Sequence, residues 1–128
     1  MIQLLDELHV WGWRNHNIFL LGFSQGGLVS ADLALNYDQA FAGVISVSSY
    51  FHFFSNWRSK LNRKNLRTPW LFTHGSQDDV LPWRETHYGY QKIREAGFQA
   101  DWCLLEKRHV MIEEDYKIIR PWLRKKIS

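Results

Sequence analysis

Residues 18–28 read Ile18-Phe19-Leu20-Leu21-Gly22-Phe23-Ser24-Gln25-Gly26-Gly27-Leu28, an apolar run that stops at a glycine, a serine two positions later, and then a helical pattern of small residues continued by Ala31 and Ala34. That order is strand, sharp turn, helix. A serine at such a turn is held in a strained conformation with its hydroxyl raised above the end of a parallel sheet. Gly22 and Gly26 have a mechanical reason, since a side chain at either would strike the neighbouring strand or helix. The G-x-S-x-G pattern alone is weak: a chain of this length matches it by chance about 4% of the time. A competing reading makes Ser24 an ordinary N-capping serine. The surrounding elements decide between the two.

Helix and strand patterns alternate throughout. Ile2, Leu4, Leu5, Leu8 and Trp11 have helical spacing over residues 2–11, with Gly12 as a C-cap. Residues 17–23 read as a strand apolar on both faces, as strands of covered parallel sheets are. A helix is expected over 25–35, a strand over 42–49 and a third strand over 68–74, whose proline is tolerated near its start. A helix over 84–95 ends at Gly97, a fourth strand spans 99–105, and a last helix spans 112–127 with Pro121 expected to kink it. Alternation of this kind predicts an α/β fold with a parallel sheet and helices on both faces. The 128 residues are expected to form a single domain, with no repeat or linker.

Composition narrows the function classes. Apolar residues make up 45% and charged residues 23%, an ordinary globular balance. No apolar stretch is long enough to predict a membrane span. Asp6 and Glu7 near the start do not fit a secretory signal. The one cysteine, Cys103, excludes an internal disulfide and fits a reducing, cytoplasmic compartment. The net charge of +3 owes part of its excess to Arg124-Lys125-Lys126, which reads as a solvated helix end. Without interleaved aromatics that tail does not predict a nucleic-acid partner. No metal is expected, because His52, His74 and His109 lie on separate loops without ligand spacing. Nor is a phosphate-cradling Gly-rich loop with lysine present, and no cofactor is expected.

A serine nucleophile needs a histidine to take its proton and a carboxylate to orient that histidine. In an open α/β sheet such groups gather at the carboxyl ends of strands. After the third strand comes His74-Gly75-Ser76-Gln77-Asp78-Asp79-Val80-Leu81-Pro82, and after the fourth comes Lys107-Arg108-His109. On an elbow of this type the order along the chain is serine, acid, histidine. His9 and His16 precede the serine, His52 and His74 precede the acids, and His87 lies inside a helix. His109 alone follows a strand and the carboxylates. Asp78 and Asp79 both remain as acids at this point.

The segments Gly22–Gly27, His74–Pro82 and Glu106–His109 together resemble the phospholipase/carboxylesterase family of α/β-hydrolases, which includes acyl-protein thioesterases. The resemblance covers essentially the whole chain. In that family the second signature runs H-G-x-x-D-x-x-V-P and its aspartate is the triad acid, which falls on Asp78 here, with Leu81 where valine is usual. The resemblance therefore implies a Ser24–Asp78–His109 triad that cleaves carboxylic esters or thioesters through an acyl-enzyme. It implies Gln25 as an oxyanion donor through its backbone N–H. Arg108 departs from the glycine usual before the histidine, and would narrow the pocket or add a positive charge.

Complete members of the family carry several strands and a helix ahead of the position of residue 1. The resemblance thus implies an N-terminally truncated α/β-hydrolase fold of about four parallel strands, opening inside a mid-domain helix with no capping signal before Ile2. The loop that supplies the second oxyanion donor would fall in the missing portion, so impaired catalysis is expected. The edge of strand 17–23 would be left open, and an apolar open edge predicts self-association. The alternative function is accordingly a non-catalytic remnant that binds a partner or itself. For an ester or thioester substrate, the aromatic segment 50–57 after the second strand, with Phe53 and Trp57, and Trp83 after the acid loop are expected to wall an apolar acyl pocket.

Overall fold

The structure is a computed structural model that describes residues 2–51, 61 and 63–127. Its centre is a four-stranded sheet in the order β1 (Phe19–Phe23), β2 (Gly43–Val47), β3 (Trp70–Gly75), β4 (Ala100–Leu105), with every neighbouring pair parallel. The helices are α1 (Ile2–Val10), α2 (Gln25–Asn36), α3 (Trp83–Glu95) and α4 (Glu113–Ile127). Each expected strand and helix is present; the strands start one or two residues later than read from the sequence, β2 ends two residues earlier and β3 one residue later. Two 3-10 turns, Asn15–Asn17 and Arg63–Arg67, carry no hydrophobic period and were not anticipated. No helix among the described residues is long and apolar enough to cross a membrane.

Side-chain alternation along the strands divides the core in two. Leu20, Val44, Trp70, Phe72 and Ala100 face one way and pack with Leu5 of α1, Ala31, Ala34 and Leu35 of α2, and Ile93 of α3. Ile45, Val47 and Leu71 face the other way and pack against Ile119 and Trp122 of α4. β2 and β3 are buried at every position, as strands covered on both faces must be. Aromatic rings carry much of the first layer: Trp70 stacks on Phe72 with centroids 5.7 Å apart, and Phe98 meets Trp70 edge-on at 5.8 Å.

β1 departs from the expectation of a strand covered on both faces. Its Leu20 and Gly22 are buried, but Leu21 is 48% and Phe23 37% exposed. The cause is geometric, since α4 packs on β2 and β3 and meets this outer strand only at its start, where Trp122 lies edge-on to Phe19 at 6.2 Å. The strand also starts at Phe19 instead of Asn17, because Asn15 is drawn into the 3-10 turn, where its side-chain oxygen accepts a hydrogen bond from His9 Nε2 at 2.6 Å.

The helix ends follow their glycines. At Gly12 (φ 98°) and Gly97 (φ 108°) the chain turns left-handed. Trp13 N–H returns to Leu8 C=O and Gly12 N–H to His9 C=O, and Phe98 and Gly97 repeat the pattern with Ile93 and Arg94. These paired bonds satisfy carbonyls that a helix end leaves free. α4 is continuous through Pro121, which is exposed and leaves the Lys117 carbonyl without its usual N–H partner, so the expected kink does not break the helix.

Candidate active site

The carboxyl ends of β1, β3 and β4 deliver three loops to one corner of the sheet. Ser24 follows β1 directly and occupies the N-cap position of α2, at φ 55° and ψ −119°. Such a conformation costs a non-glycine residue about 1–3 kcal/mol and persists only where its surroundings enforce it. Here the Ser24 N–H is bonded to Val47 C=O at 3.0 Å and its C=O accepts from Gly27 N–H at 3.0 Å and from the Ser49 hydroxyl at 2.7 Å. A methyl group at Gly22 would overlap the Gly26–Gly27 peptide, so the turn can close only over glycine. The Ser24 hydroxyl makes no capping bond to α2. It lies instead 3.0 Å from His109 Nε2. The N-capping reading of Ser24 therefore fails.

His109 sits in the loop between β4 and α4, with its side chain 15% exposed, and its Nδ1 lies 2.7 Å from Asp78 Oδ2. Asp78 is buried in the loop after β3. Its other oxygen, Oδ1, accepts the backbone N–H groups of Val80 at 2.9 Å and Leu81 at 2.8 Å. Burial works to raise the Asp78 pKa, but the Leu81 N–H, the His109 side chain and the Val80 N–H outweigh it, and the carboxyl lies below its ordinary 3.8. An ionised carboxylate only accepts, so His109 carries its proton on Nδ1 and presents the Nε2 lone pair to the serine hydroxyl. Asp79, one residue on, is exposed. The ring of Phe23 packs beside the His109 imidazole, with centroids 5.0 Å apart.

His74 forms a second layer under the acid. It is fully buried, its Nε2 donates to Leu81 C=O at 2.8 Å, and the same nitrogen is 3.3 Å from Asp78 Oδ2. Burial lowers its pKa below the ordinary 6.5, against the opposing pull of the Leu81 carbonyl and the Asp78 charge. His74 is therefore neutral at pH 7. Its Nδ1 has no hydrogen-bond partner among the described residues.

The remaining expected site residues divide. Gln25 is the first residue of α2, so its backbone N–H has no acceptor within the helix and is free for a ligand oxygen. Trp83 begins α3 directly after the acid loop, meeting His87 edge-on at 6.0 Å, with the Arg84 guanidinium 4.7 Å over its ring. Arg108 is exposed beside His109. Phe53 and Trp57 lie outside the described residues. Sequence reasoning did not single out Phe23, His74 as a support, or Ser49. For His74 and Phe23 a signal existed, since both stand inside the two quoted signatures; Ser49 is brought to Ser24 only by the pairing of β1 with β2.

Ser24 Oγ, the His109 ring and the Asp78 carboxylate thus form one chain of contacts beside the N-terminus of α2. The sequence model of the phospholipase/carboxylesterase family matches residues 1–127. A probable carboxylesterase of Oryza sativa subsp. japonica is 24% identical over 127 residues, covering 98% of this chain and 54% of that protein. Acyl-protein thioesterase 1 of Emericella nidulans is 28% identical over 99 residues, covering 76% of this chain and 41% of that protein. The crystal structure of SOBER1 from Arabidopsis thaliana superimposes with a TM-score of 0.92 at 23% identity, over 98% of this chain and 60% of that one. The chain thus spans about half the length of the curated relatives it matches.

Proposed function

This chain belongs to the phospholipase/carboxylesterase family, and we propose that it carries the reacting centre of a serine hydrolase of carboxylic esters or thioesters. The observation that carries the reading is the continuous relay from Ser24 Oγ through His109 to Asp78, at 3.0 and 2.7 Å, assembled from three separate loops. Ser24 Oγ attacks the acyl carbon while His109 Nε2 takes its proton, and Asp78 holds the imidazolium. The oxyanion forms against the Gln25 N–H. Collapse expels the alcohol or thiol, to which His109 returns the proton. Water, activated by the same histidine, then releases the acid and regenerates Ser24.

An elbow N–H is one oxyanion donor of two in this architecture, the other coming from a loop that precedes the elbow strand. Removal of one such donor lowers turnover by about 10²–10³, roughly 3–4 kcal/mol. For the substrate we propose an apolar acyl group, on the aromatic character of Trp83 and of the sequence around Phe53 and Trp57. Cys103 is a free thiol, in keeping with a cytoplasmic setting.

Covalent labelling by a fluorophosphonate tests the reading. Ser24 should be the labelled residue, and Ser24→Ala and His109→Ala should abolish the adduct. Label that survives in Ser24→Ala ends the assignment.

A second reading, a non-catalytic module that associates through β1, is favoured by the exposure of Leu21 and Phe23 on that outer strand. Its self-associating form requires dimers or larger species by size-exclusion chromatography, and a clean monomer counts against it.

A further inference from the structure

One buried carboxylate ties down both ends of the loop that carries His109. Asp115, in the first turn of α4, is fully buried, and Lys107 is 3% exposed. The Lys107 ammonium donates to both Asp115 oxygens, at 3.0 Å to Oδ1 and 2.8 Å to Oδ2. The Thr73 hydroxyl of β3 donates to Oδ1 at 2.7 Å, and the Ile112 N–H donates to Oδ2 at 2.9 Å. Asp115 N–H returns to the Ile112 carbonyl at 3.1 Å, so the first turn of α4 closes against the same residue that takes the Ile112 N–H. His109 therefore lies between two anchors, Lys107 ahead of it and Ile112 behind, that share one acceptor.

The same lysine presses its main chain onto the acid loop. Lys107 C=O accepts the Gln77 N–H at 3.1 Å, and Leu105 C=O accepts both Ser76 N–H at 2.8 Å and Lys107 N–H at 3.0 Å. A methyl group at Gly75 would overlap the Lys107 carbonyl oxygen. Any shift of Lys107 thus moves the Asp78 loop and the His109 loop relative to each other.

A buried ion pair is a poor source of net stability, because apolar side chains of similar volume commonly serve as well. Its use two residues from a histidine that must meet two partners at once calls for another role. We infer that the Lys107–Asp115 pair is a positioning device, which fixes the loop so that His109 reaches Ser24 and Asp78 together. The inference rests on the hydrolase reading for its effect on reactivity, though not for its effect on the geometry of His109.

The test compares wild type with Lys107→Met and with Lys107→Met/Asp115→Leu, using the whole 128-residue chain. Lys107→Met leaves a buried charge alone and is expected to unfold more readily, whereas the double variant replaces the pair with apolar groups and is expected to recover part of that loss, short of wild type because the Thr73 hydroxyl and the Ile112 N–H lose their acceptor. Two readouts are taken on the folded double variant: the rate of fluorophosphonate labelling and the low-field proton resonance of His109 Nδ1–H. Displacement of a reacting group by an ångström costs about a hundredfold, so labelling should slow by about that factor and the resonance should broaden or vanish. A double variant that labels within threefold of wild type and keeps the resonance overturns the inference. If wild type itself takes no label, the hydrolase reading fails, and the resonance still decides: retained in the double variant it overturns the positioning role, lost it supports that role.

Discussion

Replacing Asp78 by asparagine preserves shape and removes one charge, and the hydrogen bonds around it dictate the outcome. Oδ1 is held by two backbone N–H donors, from Val80 and Leu81, at 2.9 and 2.8 Å. In Asp78→Asn the amide oxygen must take that side, because an NH₂ group cannot accept. The NH₂ then faces His109 Nδ1, where Oδ2 now lies at 2.7 Å. Two donors cannot pair, so His109 moves its proton to Nε2 and points it at the Ser24 hydroxyl, and the serine loses its base. An error of tautomer at this position in other triads costs about 10⁴ in rate, roughly 5.4 kcal/mol. His74 Nε2, 3.3 Å from Oδ2, also comes to face the amide, adding about 1–3 kcal/mol of lost stability. The assay is the rate of fluorophosphonate labelling on variants verified as folded by circular dichroism, with Asp79→Asn as the companion. Asp79 is exposed, and its substitution should change the rate less than twofold. Labelling of Asp78→Asn within tenfold of wild type, or a large loss in Asp79→Asn with Asp78→Asn spared, refutes the assignment of the acid.

The depressed pKa of His74 gives the protein an acid-sensitive step: above pH 6.5 the residue is neutral folded and unfolded, and below it the unfolded chain gains a proton that the native state resists, so stability falls as pH drops from 6.5 towards the folded value. Urea midpoints at pH 7.5 and 5.5 should differ less for His74→Gln than for wild type, and equal differences would show that another group sets this window. Asp78 adds its own loss only below 3.8, where its unfolded form takes up a proton first. Trp83→Ala should raise KM for p-nitrophenyl octanoate more than for the acetate, since each buried methylene contributes about 0.8 kcal/mol, and equal effects would confine Trp83 to packing on α3.

What the sequence discloses and what it hides have a common physical basis. The elbow was legible because Gly22, Ser24 and Gly26 lie within five residues between an apolar strand and a small-residue helix, although only Gly22 of the two glycines is sterically required, a methyl group at Gly26 meeting nothing within 4 Å. Asp78 and His109 were legible because strands and helices alternate cleanly, which puts the ends of β3 and β4 on one edge. Between Asp78 and Asp79, however, chain order was silent, and the family signature was needed to choose. The Lys107–Asp115 pair was hidden altogether. Lys107 belongs to a Lys-Arg-His loop and Asp115 to the acidic first turn of a helix, and each pattern alone describes a solvated charge. Only the seating of α4 on β2 and β3 turns them inward against Thr73. The cover of β1 was misread for the same reason: an apolar sequence records that a face can be buried, and the reach of a neighbouring helix decides whether it is.

The separation of the candidate site from its surroundings has a consequence for how this chain should react. The proposed relay draws on the ends of β1, β3 and β4, while the Val47 carbonyl at the end of β2 and the Ser49 hydroxyl beyond it hold Ser24 in its strained conformation. Activation of the serine thus depends on groups that are all in this chain, and on a sheet whose two central strands are buried throughout. Stabilisation of a tetrahedral oxyanion depends on two N–H donors, of which the elbow provides Gln25. A small phosphonate that reacts once with an activated hydroxyl needs the first property most. Turnover of a long-chain ester needs both, together with an acyl pocket. Labelling should therefore respond less than hydrolysis to the length of chain supplied, when the 128 residues are compared with a chain extended to the relatives' length. Equal losses in the two would place the defect in the relay itself, and would count against the Ser24–His109 contact at 3.0 Å as a working geometry.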